Sequence, residues 1–215
     1  RKKSMDTLFS PFPTHNSRIG FHYFPDTIHY RETDLQTWLP EFSSMGVSWL
    51  LLKSAANRAI PEAFLRALIQ NGIEPVVQFD LSLNAYPAAE DLSPILEAYS
   101  HWGVKAVFLF DRPNSRSSWS AATWSQNNLV EHFLDRYLPL AKAVDQAGII
   151  PVLPPLQPAG AYWDTAFLRT VLESLSRRKQ TALLDHLVLS CYAWTNQRSL
   201  NWGAGGPLRW ASARP

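Results

Sequence analysis

The chain has 215 residues, a formal charge of +2 and one cysteine. Hydrophobic residues make up 46%, enough for a large core, while charged residues reach only 18%, below the roughly 25% of an average globular protein. These figures exclude an intrachain disulfide scaffold and a polybasic nucleic-acid binder, and no apolar run approaches the roughly 20 residues of a membrane span.

Residues 1–17 carry Pro11, Pro13 and small polar residues without a sustained period, and read as an extended arm. Arg18 to Phe24 (R-I-G-F-H-Y-F) reads as a first strand. Leu35, Trp38, Leu39, Phe42 and Met45 then recur at helical spacing, with Pro40 as a potential kink. Val47 to Lys53 (V-S-W-L-L-L-K) is a second strand, followed by a helix with Pro61 in its first turn and an apolar face of Phe64, Leu65, Leu68 and Ile69. Ile73 to Leu81 is a third strand. Ser93-Pro94 has the form of an N-cap with proline at the first helical position. Val104 to Asp111 (V-K-A-V-F-L-F-D) is a fourth strand, before a long polar loop over 112–128 and a helix over about 129–147. Ile149 to Leu156 is a fifth strand. Asp164 is placed to cap the next helix, and Leu187 to Trp194 is a sixth strand.

Four of these helices end in one glycine with an apolar run directly behind it, at Gly46, Gly72, Gly103 and Gly148. Glycine stops a helix by taking the left-handed conformation that other residues resist. Helix, glycine, strand, repeated, is the signature of stacked β/α units around a parallel sheet. The helix-to-strand turns are short and the strand-to-helix loops are long and rich in aromatics, as in a barrel that builds its site at the carboxyl ends of its strands. A doubly wound dinucleotide fold would need G-x-G-x-x-G after its first strand, where this chain has Phe24-Pro25-Asp26-Thr27. The expected fold is therefore α/β, a (β/α)8 TIM-barrel-like domain over 18–215. It breaks off after about six units, since a full barrel takes roughly 250 residues. Open edges on such a sheet carry an expectation of marginal stability or self-association.

The polar residues at the predicted strand ends are His22, Tyr23 and Asp26, then Lys53, Gln78, Asp80, Asp111, Arg112 and Asn114, and finally Tyr192 and Trp194. In a barrel these converge on one mouth. Trp119 and Trp124, in the Ser/Asn-rich loop, are large aromatics that either stack on a ligand or pack the loop onto its barrel. No H-x-x-x-H or H-E-x-x-H spacing occurs, and neither a metal nor a cofactor is expected. Cys191 reads as a small core residue.

Asp111-Arg112-Pro113-Asn114 at the end of strand four resembles the Asn-Glu-Pro-Asn segment of the large (β/α)8 glycoside hydrolase clan, and Tyr192-Ala193-Trp194 resembles its aromatic strand ends. The resemblance implies a barrel, a carbohydrate or similar polar ligand, and an extracellular or cell-surface location. In that clan the motif glutamate is the general acid/base, and here Arg112 occupies its place. Arginine stays protonated and cannot deliver a proton. Asp111 is then the candidate catalytic carboxylate, a nucleophile or base beside a cation. The alternatives are an ion pair that braces the mouth and, at the level of function, a catalytically inactive barrel that binds glycans or another small ligand.

Overall fold

The computed structural model describes residues 19–192. Six parallel strands form one sheet in the order β1-β2-β3-β4-β5-β6: β1 (Gly20–His22), β2 (Trp49–Ser54), β3 (Glu74–Phe79), β4 (Ala106–Phe108), β5 (Ile150–Leu156) and β6 (Val188–Cys191). Chain order and spatial order coincide, as in a barrel, with no topological switch point. The helices are α1 (Glu32–Ser44), α2 (Glu62–Gln70), α3 (Ala89–Trp102), α4 (Ala121–Trp124), α5 (Leu129–Gln146), α6 (Asp164–Arg177) and α7 (Thr181–His186). The truncated TIM-barrel-like architecture expected from the sequence is the one found.

Gly46, Gly72, Gly103 and Gly148 all have positive φ, between 66° and 95°. Each ends or directly follows a helix and turns the chain into the next strand. At Gly103 the φ of 95° coincides with crowding, because a Cβ there would lie 3.1 Å from Ile69 Cδ1.

Strand alternation divides the apolar residues into two layers. Leu50, Leu52, Val77, Phe79, Val107 and Leu153 face the helices and join the main core with Phe64, Leu65, Leu68, Leu96, Tyr99, Phe133, Tyr137 and Phe167. Leu51, Val76, Ala106 and Val152 form a smaller cluster with Trp49, Phe108, Ile150 and Val188. These side chains line the concave face, where a closed barrel has its interior. Gly20 belongs to this face for a steric reason: a Cβ there would lie 2.0 Å from the Trp49 ring.

All six residues of the central strand β3 are buried, whereas β1 and β6 have only half-buried and exposed residues. Phe21 and Leu189, on these edge strands, are 41% and 47% exposed. Cys191 is likewise exposed, contrary to its expected place in the core, because no strand pairs beyond β6 among the described residues.

Three local expectations are corrected. α3 begins at Ala89 and places Pro94 inside it, since the Asp91 carboxylate accepts from the Ala88 N–H and caps the helix earlier; Ser93 Oγ donates back to the Ala89 carbonyl instead of capping. Asp164 is the first residue of α6, with Trp163 at the N-cap. Trp38, whose place on the apolar stripe of α1 implies a core position, is 37% exposed, with its ring stacked on Phe42.

Candidate active site at the strand ends

β4 delivers the central group. Leu109 and Phe110 continue its buried path to Asp111, which stands half-exposed at the carboxyl end of the sheet. Asp111 Oδ1 accepts from the Tyr192 hydroxyl at 2.9 Å and Oδ2 from Arg112 Nε at 2.9 Å. The carboxylate thus ties β4 to β6 across β5. Burial, followed by the charge and hydrogen bond of Asp111, pushes the Tyr192 phenol up to about 12.

Arg112 has φ 44°. A non-glycine residue held there stores strain on the order of 1–3 kcal/mol, which the surroundings must offset. They do so with hydrogen bonds. The Arg112 N–H donates to Pro155 O at 3.0 Å, and its carbonyl accepts from the Ser115 N–H and from Ser118 Oγ. Pro155 is presented at a register shift in β5, between Leu153 and Leu156. Prolines 154 and 155 have no N–H for a regular ladder, so a bulge is the expected form there.

His22, Lys53 and Gln78 reach the same edge from β1, β2 and β3, with Lys53 and Gln78 directly paired in register. His22, Gln78, Phe108, Pro155, Ser190 and Tyr192 line a cavity of about 150 Å³ whose deeper wall is Trp49 and Leu51. Burial, and next the Lys53 ammonium, hold the His22 imidazole below its ordinary pKa, while the Asp111 carboxylate pulls it up. The three groups therefore share one electrostatic neighbourhood. The arrangement offers an anion, a cation, a neutral imidazole, an amide and a phenol over an apolar floor.

Other expected site residues lie elsewhere. Asn114 is fully buried. Its Nδ2 donates to the carbonyls of Gln157 and Tyr162, at 2.8 and 3.0 Å, and its Oδ1 accepts from the Gln157 N–H at 2.8 Å. It braces the β4–α5 loop against the β5–α6 loop, with both amide hydrogens spent on backbone carbonyls. Trp119 is 6% exposed, donates through Nε1 to Pro113 O at 2.6 Å, and carries Arg136 on its face at 5.2 Å. It packs the loop and does not present a ring to solvent. Trp124 is half-buried against the main core. Tyr23 points the other way from His22, as strand alternation requires, into a cluster with Phe24, Tyr30, Phe42 and Phe64. Asp26 is held by its own loop, accepting from the Ile28 N–H and His29 Nδ1. Asp80 is an exposed carboxylate just past β3. Trp194 and the arm over 1–17 lie outside the described residues.

The exposed aromatics at this face are ones the sequence reading did not select. Trp163, in the β5–α6 loop, is 58% exposed, and Tyr86, in the β3–α3 loop, is 43% exposed with its edge against Phe110. Among the described residues no group of three His, Cys, Asp or Glu side chains is placed to hold a metal ion, and no helix is long and apolar enough to cross a membrane.

Comparison of the sequence with known protein families and with characterised proteins finds no match. The fold does have relatives among solved structures. An L-ribulose 3-epimerase superposes with a TM-score of 0.50 and 13% sequence identity, over 80% of this chain and 59% of its own. The chain thus spans under two thirds of that neighbour's length. At this identity the likeness establishes the TIM-barrel-like fold. A lysine/ornithine decarboxylase from Vibrio vulnificus, complexed with cadaverine, superposes over 80% of this chain and 43% of its own at 15% identity, with a TM-score of 0.38 that carries no argument.

Proposed function

We propose that the mouth of the half-barrel binds a carbohydrate or a similarly hydroxylated small molecule. One observation carries this reading: five strands supply His22, Lys53, Gln78, Asp111 and Tyr192 to one apolar-floored edge. A hydroxyl both donates and accepts, so a polyol needs such a mixed set. Its C–H faces need apolar surface, which Phe108 and Trp49 offer inside and Trp163 and Tyr86 offer at the rim. The fold neighbour named as an epimerase of a sugar is in keeping with this ligand class.

Binding is proposed ahead of hydrolysis. Glycoside hydrolysis takes two carboxylates roughly 5–9.5 Å apart. Asp111 is one candidate, suited to act as base or nucleophile. Arg112 stands where the resembled motif has its acid, and both Asp111 oxygens already carry hydrogen bonds from the protein. A glycoside hydrolase would need Asp80, or a residue outside those described, as its second carboxylate.

The test is calorimetric titration with a panel of mono- and oligosaccharides, repeated on Asp111→Asn and Trp163→Ala. Saturable binding that weakens about tenfold or more in Asp111→Asn supports the reading. A folded protein that binds no member of the panel refutes it.

A further inference from the structure

The β1–α1 and β2–α2 loops enclose a separate cavity of about 320 Å³ next to the mouth. Arg31, Lys53 and Arg58 line it, and no carboxylate does. Among the described residues none of these three cations takes part in an ion pair. Of the nearby acids, Asp26 is engaged by His29 and Glu62 by Arg66, while Asp34 caps α1 at the Arg31 N–H and Glu32 stands in the same first turn.

The cavity is also built. Arg58 Nη2 donates to Thr27 O at 2.9 Å, which joins the two enclosing loops, and an antiparallel bridge between Ala55 and Arg58 fixes the turn that carries the arginine. The Tyr30 hydroxyl donates to Lys53 O at 2.6 Å and sets one wall. Arg31 and Pro61, the N-caps of α1 and α2, both line this space; the α1 end is already answered by the Asp34 carboxylate, and Glu62 stands in the first turn of α2, paired with Arg66. Gathering like charges without a counter-charge costs free energy in the empty protein, and an oxyanion offsets that cost.

We propose that this cavity holds the phosphate of a phosphorylated sugar whose hydroxylated part lies in the mouth. The second half of that statement rests on the reading of the mouth given above. Three cations suit a dianion with three terminal oxygens better than a single carboxylate. Lys53 links the two spaces: it lines the cavity, and its charge acts on His22 at the mouth. A ligand anchored here would extend toward Asp111.

The experiment has two arms. Phosphorus NMR follows inorganic phosphate added to the protein at low ionic strength, with Arg31→Ala and the Arg31→Ala/Arg58→Ala pair as variants. Arg31→Ala leaves the Arg58–Thr27 tie intact, so loss of binding in it is not a folding effect. Calorimetry then compares ribose with ribose 5-phosphate and glucose with glucose 6-phosphate. Saturable phosphate broadening that disappears in both variants and survives Asp111→Asn supports the proposal, as does a phosphorylated sugar binding about tenfold or more tighter than its neutral parent. Phosphate broadening unchanged by the arginine variants overturns it. Neutral and phosphorylated sugars of equal affinity overturn it too, while leaving the mouth reading intact. Phosphate and sugar phosphates binding equally well, with no effect of Asp111→Asn, uphold the anion site and sink the mouth reading instead.

Discussion

Replacing Asn114 with alanine removes three buried hydrogen bonds at once, those to Gln157 N, Gln157 O and Tyr162 O. The partner groups are backbone atoms between two loops, and the smaller side chain leaves them facing one another. At about 1 kcal/mol net for each bond, the loss is about 3 kcal/mol. For a domain of this size each kcal/mol shifts Tm by about 2–4 °C, so the variant should melt about 6–12 °C lower. Gly160→Ala offers an independent route to the same brace, because the new Cβ would lie 2.6 Å from Asn114 Nδ2. The assay is thermal unfolding followed by circular dichroism, with sugar binding measured on each variant at 15 °C, where the variants remain folded. Stability should fall with binding to the mouth largely kept. If Asn114→Ala melts within about 2 °C of the parent yet binding is lost, Asn114 acts on ligand and the structural reasoning is refuted.

Three other outcomes are expected. Lys53→Met should raise the His22 pKa toward 6.5 and Asp111→Asn should lower it further, opposite shifts readable by proton NMR with His22→Gln for assignment. Because the folded value is depressed, His22 contributes stability that is present above pH 6.5 and is lost as pH falls through the folded value; shifts of the same sign in both variants would contradict the geometry. Glu74 is 9% exposed, paired with Lys105 at 2.7 Å, and its Oε1 has no partner among the described residues. Burial raises its pKa and Lys105 only partly offsets this, so its contribution is full below pH 4.5 and is lost as pH rises through the folded value. Glu74→Gln should therefore gain up to about 1 kcal/mol at pH 7 in urea unfolding, and a loss would show that the ion pair outweighs burial. Phe21 and Leu189, exposed on the outermost strands among the described residues, should drive concentration-dependent association in sedimentation velocity, reduced in a Phe21→Ser/Leu189→Ser variant; a monomer at all concentrations would count against it.

The units of this fold were legible because each is marked locally. A glycine at the end of a helix and a β-branched run behind it need no knowledge of the rest of the chain, and Gly46, Gly72, Gly103 and Gly148 all take the positive φ this implies. Strand alternation told less than it could. His22 and Tyr23 are adjacent and both polar, and only the pleat decides that one faces the concave side and the other the helices. The β4–α5 loop misled for a different reason. Its composition is polar, but Trp119 spends its N–H on backbone of its own loop and Asn114 spends its amide on the β5–α6 loop, so a segment that reads as solvent-exposed is packed against the fold. Trp163 stands exposed at the N-cap position of α6, which the sequence alone could not separate from burial in a loop. The cationic cavity was invisible for a simpler reason. Arg31 and Arg58 come from different loops, with no spacing to link them.

The coincidence of strand order with chain order has a consequence for how the chain reaches this state. Each β/α unit pairs only with the units before and after it, so no strand must wait for a distant partner before the sheet can grow. In energetic terms the molecule is close to a one-dimensional stack, with a term for each unit and one for each junction. Such a stack can assemble progressively as it leaves the ribosome, each new strand docking on an edge already made, with loop-closure entropy limited to one crossover at a time. The same economy repeats at every junction: each strand presents to the next the template that its predecessor presented to it, β4 to β5 and β5 to β6.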